Sequence, residues 1–223
     1  MIDFSFCIIT DNSIDACKRI SEMVFSIRSQ QIANYEILII GGTGNKFSGN
    51  LENLYKIDFN EGIKRGWITK KKNDVAKIAK YNNLVMMHDY FILHPSWYKH
   101  YETFLKDREY DVCCNPVLLM DGRRDYTDWT TYDHPHYGKQ CPLPYSDWSQ
   151  TKNQYFSGGY FLTKRDFFLN NPLNEDLVSH QEEDLEWSLR IRDTAKAICN
   201  PRSYVKHNKI HRNMGINLWR QIK

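Results

Sequence analysis

The sequence predicts an α/β protein with a mixed, mostly parallel sheet flanked by helices, and three observations lead there. Several apolar runs are nearly continuous, as at 4–10, 36–40 and 84–87. Strands covered on both faces have this pattern. The stretch between the first two runs repeats its apolar residues at helical spacing. The third run ends in His88-Asp89-Tyr90. It therefore delivers polar chemistry where open α/β sheets bind ligands, beyond the carboxyl ends of their strands.

Phe4-Ser5-Phe6-Cys7-Ile8-Ile9-Thr10 is the first strand, stopped by the turn and cap residues Thr10-Asp11-Asn12-Ser13. From Ile14 to Gln30, Ile14, Cys17, Ile20, Met23, Val24 and Ile27 recur every three or four residues, an amphipathic helix. Residues 35–40 form a second strand, ended by Gly41-Gly42. Strand, helix and strand make a parallel, right-handed βαβ unit. Gly41-Gly42-Thr43-Gly44 fits neither G-x-G-x-x-G nor G-x-x-x-x-G-K-[ST]. It reads as a tight turn where a ligand can approach the backbone. Residues 55–59 alternate as a third strand, and 62–72 read as loop. Asn73-Asp74 then opens a helix through Tyr81, with Val75, Ile78 and Ala79 inward. Lys70-Lys71-Lys72 reads as a solvated helix start, or as a charge screen if a diphosphate binds nearby.

After the 84–87 strand, Ser96 caps a helix from Trp97 to about Lys106, and 111–119 is another buried strand. Residues 120–153 lack helical period and are crowded with Trp129, Tyr132, His134, His136, Tyr145 and Trp148. Aromatic faces beside carboxylates suit sugar binding. A lid packed by its own aromatics has the same composition. A glycine pair, Gly158-Gly159, leads into a strand ending at Thr163, and a short helix spans 164–170. Gln181 to Arg192 is a helix with Glu182, Glu183 and Asp184 at its start, where the dipole favours acids. Residues 197–199 and 203–205 are final strands, and Val205 hands over to Lys206-His207.

A chain of 223 residues with ordinary apolar content fits one domain. We read a single catalytic domain over 1–223. Residues 1–119 are its nucleotide-binding half, 120–210 its acceptor-binding half and 211–223 a basic tail. The net charge of +3 does not imply nucleic acid. No Asp or Glu follows Asp193, while Lys196, Arg202, Lys206, Lys209, Arg212, Arg220 and Lys223 are basic. That end either faces phosphates or an anionic membrane surface, or is a solvated face. Six cysteines without C-x-x-C spacing suggest a reducing compartment. With no membrane-span run and no signal-peptide pattern, we expect a cytoplasmic protein, peripheral at most to the inner face of a membrane.

In their order, these pieces resemble the GT-A glycosyltransferase fold, and in detail the family 2 glycosyltransferases. The resemblance runs over about residues 4–210. Its parts are the first two strands, His88-Asp89-Tyr90 at the D-x-D position, Ser157-Gly158-Gly159 with Phe161 and Arg165, and Glu183-Asp184 with Glu186, Trp187 and Arg190. It implies a metal-dependent transfer of sugar from a nucleotide-diphosphate sugar, a UDP-sugar, to a hydroxyl of a glycan or lipid-linked glycan. It implies Thr10, Asp11, Gly41, Gly42, Asn73, His88, Gly158 and Gly159 at the donor. Mn²⁺ or Mg²⁺ falls to Asp89 and His207, and Asp184, with Glu183 as the lesser choice, is the general base of an inverting reaction. The chemistry needs such parts: a carboxylate takes the proton of the attacking hydroxyl, and a cation balances the departing diphosphate. The sequence departs from the family pattern at Gly41-Gly42 and at His88 and Tyr90, where acids are usual.

Other readings remain open. One is a non-catalytic carbohydrate- or partner-binding domain, since fold does not fix function. Another is a metal-dependent hydrolase built on His88, Asp89, His134 and His136. A nucleotidyltransferase needs a glycine- and arginine-rich loop after the first strand, and Thr10-Asp11-Asn12-Ser13 offers none.

Overall fold

A computed structural model describes residues 1–11, 13–42, 52–148 and 151–208 of the chain. It begins with β1 (Phe4–Ile9), α1 (Ile14–Arg28), β2 (Tyr35–Ile40), β3 (Leu54–Ile57), α2 (Ile68–Ile78) and β4 (Asn83–His88). It continues with β5 (Phe91–Leu93), α3 (Trp97–Leu105), β6 (Val112–Cys114), β7 (Val117–Leu118), β8 (Thr130–His134) and β9 (Gly138–Pro142). After a 3₁₀ turn come β10 (Gln154–Tyr155), β11 (Tyr160–Lys164), α4 (Arg165–Asn170), α5 (Glu183–Ile191), β12 (Ala197–Cys199) and β13 (Val205–His207).

The main sheet among the described residues is ordered β12-β6-β11-β4-β1-β2-β3. Neighbours are parallel except at β11, which runs antiparallel to both β4 and β6. Two small sheets, β10-β8-β9 and β5-β13-β7, flank it. Because β11 enters between β4 and β6, residues 120–210 complete the sheet begun by 1–119.

The continuous apolar runs are explained by burial on both faces. Side chains alternate along a strand. Phe4, Phe6 and Ile8 of β1, with Ile37, Ile39, Val85 and Met87, enter one core with α1 and α3. Cys7 and Ile9, with Leu38, Ile40, Leu84 and Met86, enter a second core beneath α2, α4 and α5. Each such side chain fully removed from water contributes about 1.5–3 kcal/mol before its entropy cost. Aromatic pairs anchor both layers: Phe4 meets Trp97 edge-on at 5.1 Å, and Phe161 lies 5.2 Å from Trp187.

Several elements differ from the sequence expectation. α2 starts at Ile68, so the lysine run lies inside a helix, and Lys71 and Lys72 are 3% and 1% exposed. Ile78 and Ile14 face solvent instead of the core. Ser13 does cap α1, accepting from the Ala16 amide at 3.1 Å, whereas Ser96 makes no side-chain cap bond. The run 111–119 breaks into β6 and β7 around Asn115-Pro116, and the long insertion contains the β8–β9 hairpin. No described helix is long and apolar enough to cross a membrane. Asn12, Thr43-Gly44 and the tail residues Lys209, Arg212, Arg220 and Lys223 lie outside the described residues.

Candidate active site

The parallel strands β1, β2 and β4 end on the same edge of the sheet, and β11 begins there because it runs the other way. The His88 amide donates to Gly159 O at 3.0 Å, tying the two ends together. A cavity of about 470 Å³ opens at this edge. Among its lining residues are His88, Gly158, Gly159, Glu183, Asp184 and His207. The sequence scattered these over 120 positions, and the topology gathers them.

Asp184 heads α5 and is held by three donors. Its Oδ2 accepts from Tyr155 OH at 2.5 Å and the Gly158 amide at 2.8 Å, and its Oδ1 accepts from the Leu185 amide at 2.9 Å. The fit against Gly158 is tight: a Cβ there would lie 3.0 Å from Asp184 Cβ and 3.2 Å from Glu183 Oε1. Glu183 is buried in the cavity wall. Burial raises its carboxyl above the ordinary glutamate value, Lys72 opposes this, and Asp184 adds to it. Lys72 Nζ donates to Gly158 O at 2.7 Å. Burial lowers the Lys72 ammonium, against the pull of Glu183 and Asp184. His180 and Glu182, also in the wall, both adopt left-handed backbone, with φ of 68° and 57°. Such conformations in non-glycine residues concentrate at functional sites.

The same cavity is lined by an aspartate that sequence reasoning missed. Asp125 Oδ2 lies 2.9 Å from His207 Nε2, and Asp125 Oδ1 accepts from the Thr127 amide and hydroxyl at 3.2 and 3.0 Å. Burial would raise the Asp125 carboxyl, but the contact with His207 and the Thr127 bonds bring it below the usual range. Tyr90 stacks on the His207 ring at 5.4 Å and 12°. Its hydroxyl pKa is driven up by burial first, then by Asp89, Asp125 and Asp184.

Asp89 does not line the cavity. Its Oδ2 accepts from the Thr10 hydroxyl at 2.7 Å, and its Oδ1 pairs with Arg19 Nη2 at 2.9 Å. A guanidinium therefore already occupies the cation position at this carboxylate. Thr10, Asp11, Gly41 and Gly42 cluster at the ends of β1 and β2, outside the cavity lining. Lys71 Nζ donates to Thr10 O at 2.9 Å and pairs with Glu61. Burial would raise the Asp11 carboxyl, but bonds from Ser13 and the charges of Arg19 and Lys71 bring it below the usual value. Gly41 has φ 145°, and a Cβ would meet Thr10 O at 1.9 Å, so no other residue fits. Asn73 is not brought to the cavity: it is buried, bonding Leu173 O, Glu175 Oε1 and the Leu173 amide.

The described residues contain no group of three His, Cys, Asp or Glu side chains arranged to hold a metal. Asp89 does not fit a divalent ion beside Arg19. The Asp125–His207 pair is a different matter. The two side chains are hydrogen-bonded at 2.9 Å and both line the cavity. Carboxylate with imidazole is also a donor set suited to Mn²⁺. His134 and His136, the remaining members of the hydrolase expectation, sit on the β8–β9 hairpin and do not line the cavity.

No protein-family model matches the chain, and no curated protein sequence matches it. Solved structures do. The structure of GalNAc-T7 with UDP, GalNAc and Mn²⁺ superposes with TM-score 0.67 at 17% identity, over 93% of this chain and 44% of that one. S. aureus TarS 1-349 with UDP-GlcNAc gives TM-score 0.65 at 14% identity, over 94% of this chain and 59% of that one. TarS 1-349 alone gives 0.63 at 14%, over 91% and 60%. The chain thus spans 44–60% of the length of these proteins. Strand order, the single reversed strand and these superpositions together establish that the chain has the GT-A glycosyltransferase fold.

Proposed function

We propose that the chain transfers a sugar from a UDP-sugar to a hydroxyl of a glycan or lipid-linked glycan, with inversion, using Asp184 as general base. The observation that carries this is the shared cavity in which Gly158, Glu183, Asp184, Asp125 and His207 meet at the carboxyl edge of the sheet. The solved relatives bound to UDP and UDP-GlcNAc support the donor class.

The nucleotide lies over the ends of β1 and β2, at Thr10, Asp11, Gly41 and Gly42, and His88 faces the diphosphate. Glu183, buried and facing the cavity, accepts hydroxyls of the donor sugar. The acceptor hydroxyl approaches Asp184, whose orientation Tyr155 and the Gly158 amide fix, and gives up its proton to the carboxylate as its oxygen attacks the anomeric carbon. The bond from that carbon to the diphosphate oxygen breaks, and the pair of electrons leaves with UDP. At Asp125 and His207 a bound Mn²⁺ or Mg²⁺ would supply positive charge to the leaving diphosphate. Asp89 orders the end of β1 through Thr10 and Arg19.

Calorimetric titration with UDP, with Mn²⁺ and then with the ion chelated, tests the assignment. We expect Mn²⁺-dependent binding that Asp125→Ala weakens about tenfold or more, since losing even a hydrogen-bond partner of a metal ligand costs about that much. UDP affinity that ignores both the ion and the substitution would refute it.

A further inference from the structure

A second cavity, about 660 Å³, lies outside the site described above. Lys99, His100, Arg108 and Arg202 contribute basic groups to its wall, and among the described residues no carboxylate lines it. Phe104 and Trp148 contribute its aromatic surface. The first cavity has the opposite character, with Asp125, Glu182, Glu183 and Asp184 in its wall.

The aromatic surface is held in place. Trp148 Nε1 donates to Tyr145 O at 3.1 Å, and its ring meets Phe104 edge-on at 5.9 Å. Tyr145 OH donates to Asp128 Oδ2 at 2.6 Å, with the Arg124 guanidinium 4.1 Å from its ring. The Arg108 guanidinium lies 4.5 Å from the Phe104 ring. Lys99, Arg108 and Arg202 are exposed. Glu109, beside Arg108 in sequence, is paired with Lys196 at 3.3 Å. Rigid aromatic faces take the apolar faces of sugar rings, and exposed cations take their carboxylate or phosphate groups.

We propose that this groove binds an anionic oligosaccharide. One segment, 117–148, supplies walls to both cavities: Val117, Asp125 and Thr127 in the first, Tyr145 and Trp148 in the second. An anionic glycan held here is the acceptor class for transfer in the first cavity, and that part rests on the transferase reading.

The test is calorimetry with oligogalacturonate and with its fully methyl-esterified, neutral counterpart. We expect the acid to bind and the ester to bind about tenfold more weakly or less. The combined variant Lys99→Gln, Arg108→Gln, Arg202→Gln should lose about tenfold for the acid while melting within about 2 °C of wild type, since all three positions are exposed. Trp148→Ala should also weaken the acid, and neither variant should change UDP affinity. Equal affinity for acid and ester would overturn the proposal, as would an unaffected triple variant. So would tight binding of a duplex oligonucleotide or of phosphatidylserine vesicles that ignores Trp148→Ala, which would mark a general polyanion surface. Binding of oligogalacturonate without any UDP binding would retain the groove and remove the transferase reading. UDP binding without oligogalacturonate binding would do the reverse.

Discussion

Replacing Asp89 separates a structural carboxylate from a metal-binding one. In Asp89→Ala the Thr10 hydroxyl loses its acceptor at 2.7 Å and the Arg19 guanidinium loses its partner at 2.9 Å. Both bonds end on the Asp89 carboxylate, and a hydrogen bond to a charged group contributes about 1.5–3 kcal/mol. The Arg19 side chain is only 17% exposed, so water replaces its partner incompletely. At the low end of that range the two sum to about 3 kcal/mol. At about 2–4 °C per kcal/mol for a chain of this size, the melting temperature should fall by roughly 6–12 °C without any ligand. Asp89→Asn keeps an acceptor for Thr10 and should lose about half as much. Thermal unfolding by circular dichroism measures both. An Asp89→Ala protein that melts unchanged or higher, yet loses Mn²⁺-dependent UDP binding, would refute the reasoning. That outcome would make Asp89 a ligand held under like-charge strain.

Gly41→Ala forces a Cβ to within 1.9 Å of Thr10 O at φ 145°. It should cost about 3 kcal/mol or more in urea unfolding, and wild-type stability would show that the β2 turn is misplaced. The carboxyl of Glu183 is raised by burial. The protonated form therefore favours the fold, and that contribution is lost as pH rises through the raised value. Glu183→Gln should melt above wild type at neutral pH, and the gap should close as pH falls below the ordinary glutamate value near 4.5. A gap independent of pH would remove burial as the cause. Gly158→Ala presses on both Asp184 and Glu183, so transfer should fall more than UDP affinity; parallel losses would point to simple unfolding.

The sheet was legible because its physics is local. Runs such as Phe4–Ile9 and Asn83–His88 must be apolar on both faces, and that needs no knowledge of partners. The start of α2 was not legible by composition, because three lysines read as solvated. The helical signal was nonetheless present: Ile68, Lys72, Val75, Ala76 and Ala79 share a spacing of three and four, with Lys72 at a core position. Its long stem crosses the core, and its ammonium reaches Gly158 O. The acids heading α5 and the Gly158-Gly159 pair were visible as short motifs. The pairings that assign roles were not. Arg19 meets Asp89 across 70 positions and Asp125 meets His207 across 82, and nothing in the intervening chain marks either contact. Asn73 misled for the same reason: its partners at 173 and 175 come from a distant loop.

Release of UDP from a UDP-sugar, with Mn²⁺ and an acceptor present, most directly tests whether this edge of the sheet transfers sugar. Wild type should release UDP. Asp184→Asn should bind UDP within about twofold of wild type and turn over about 10²–10⁴ times more slowly, the usual contribution of a positioned base. Equal turnover by Asp184→Asn, or no UDP release from any UDP-sugar by a wild-type protein that also fails to bind UDP, would contradict the account.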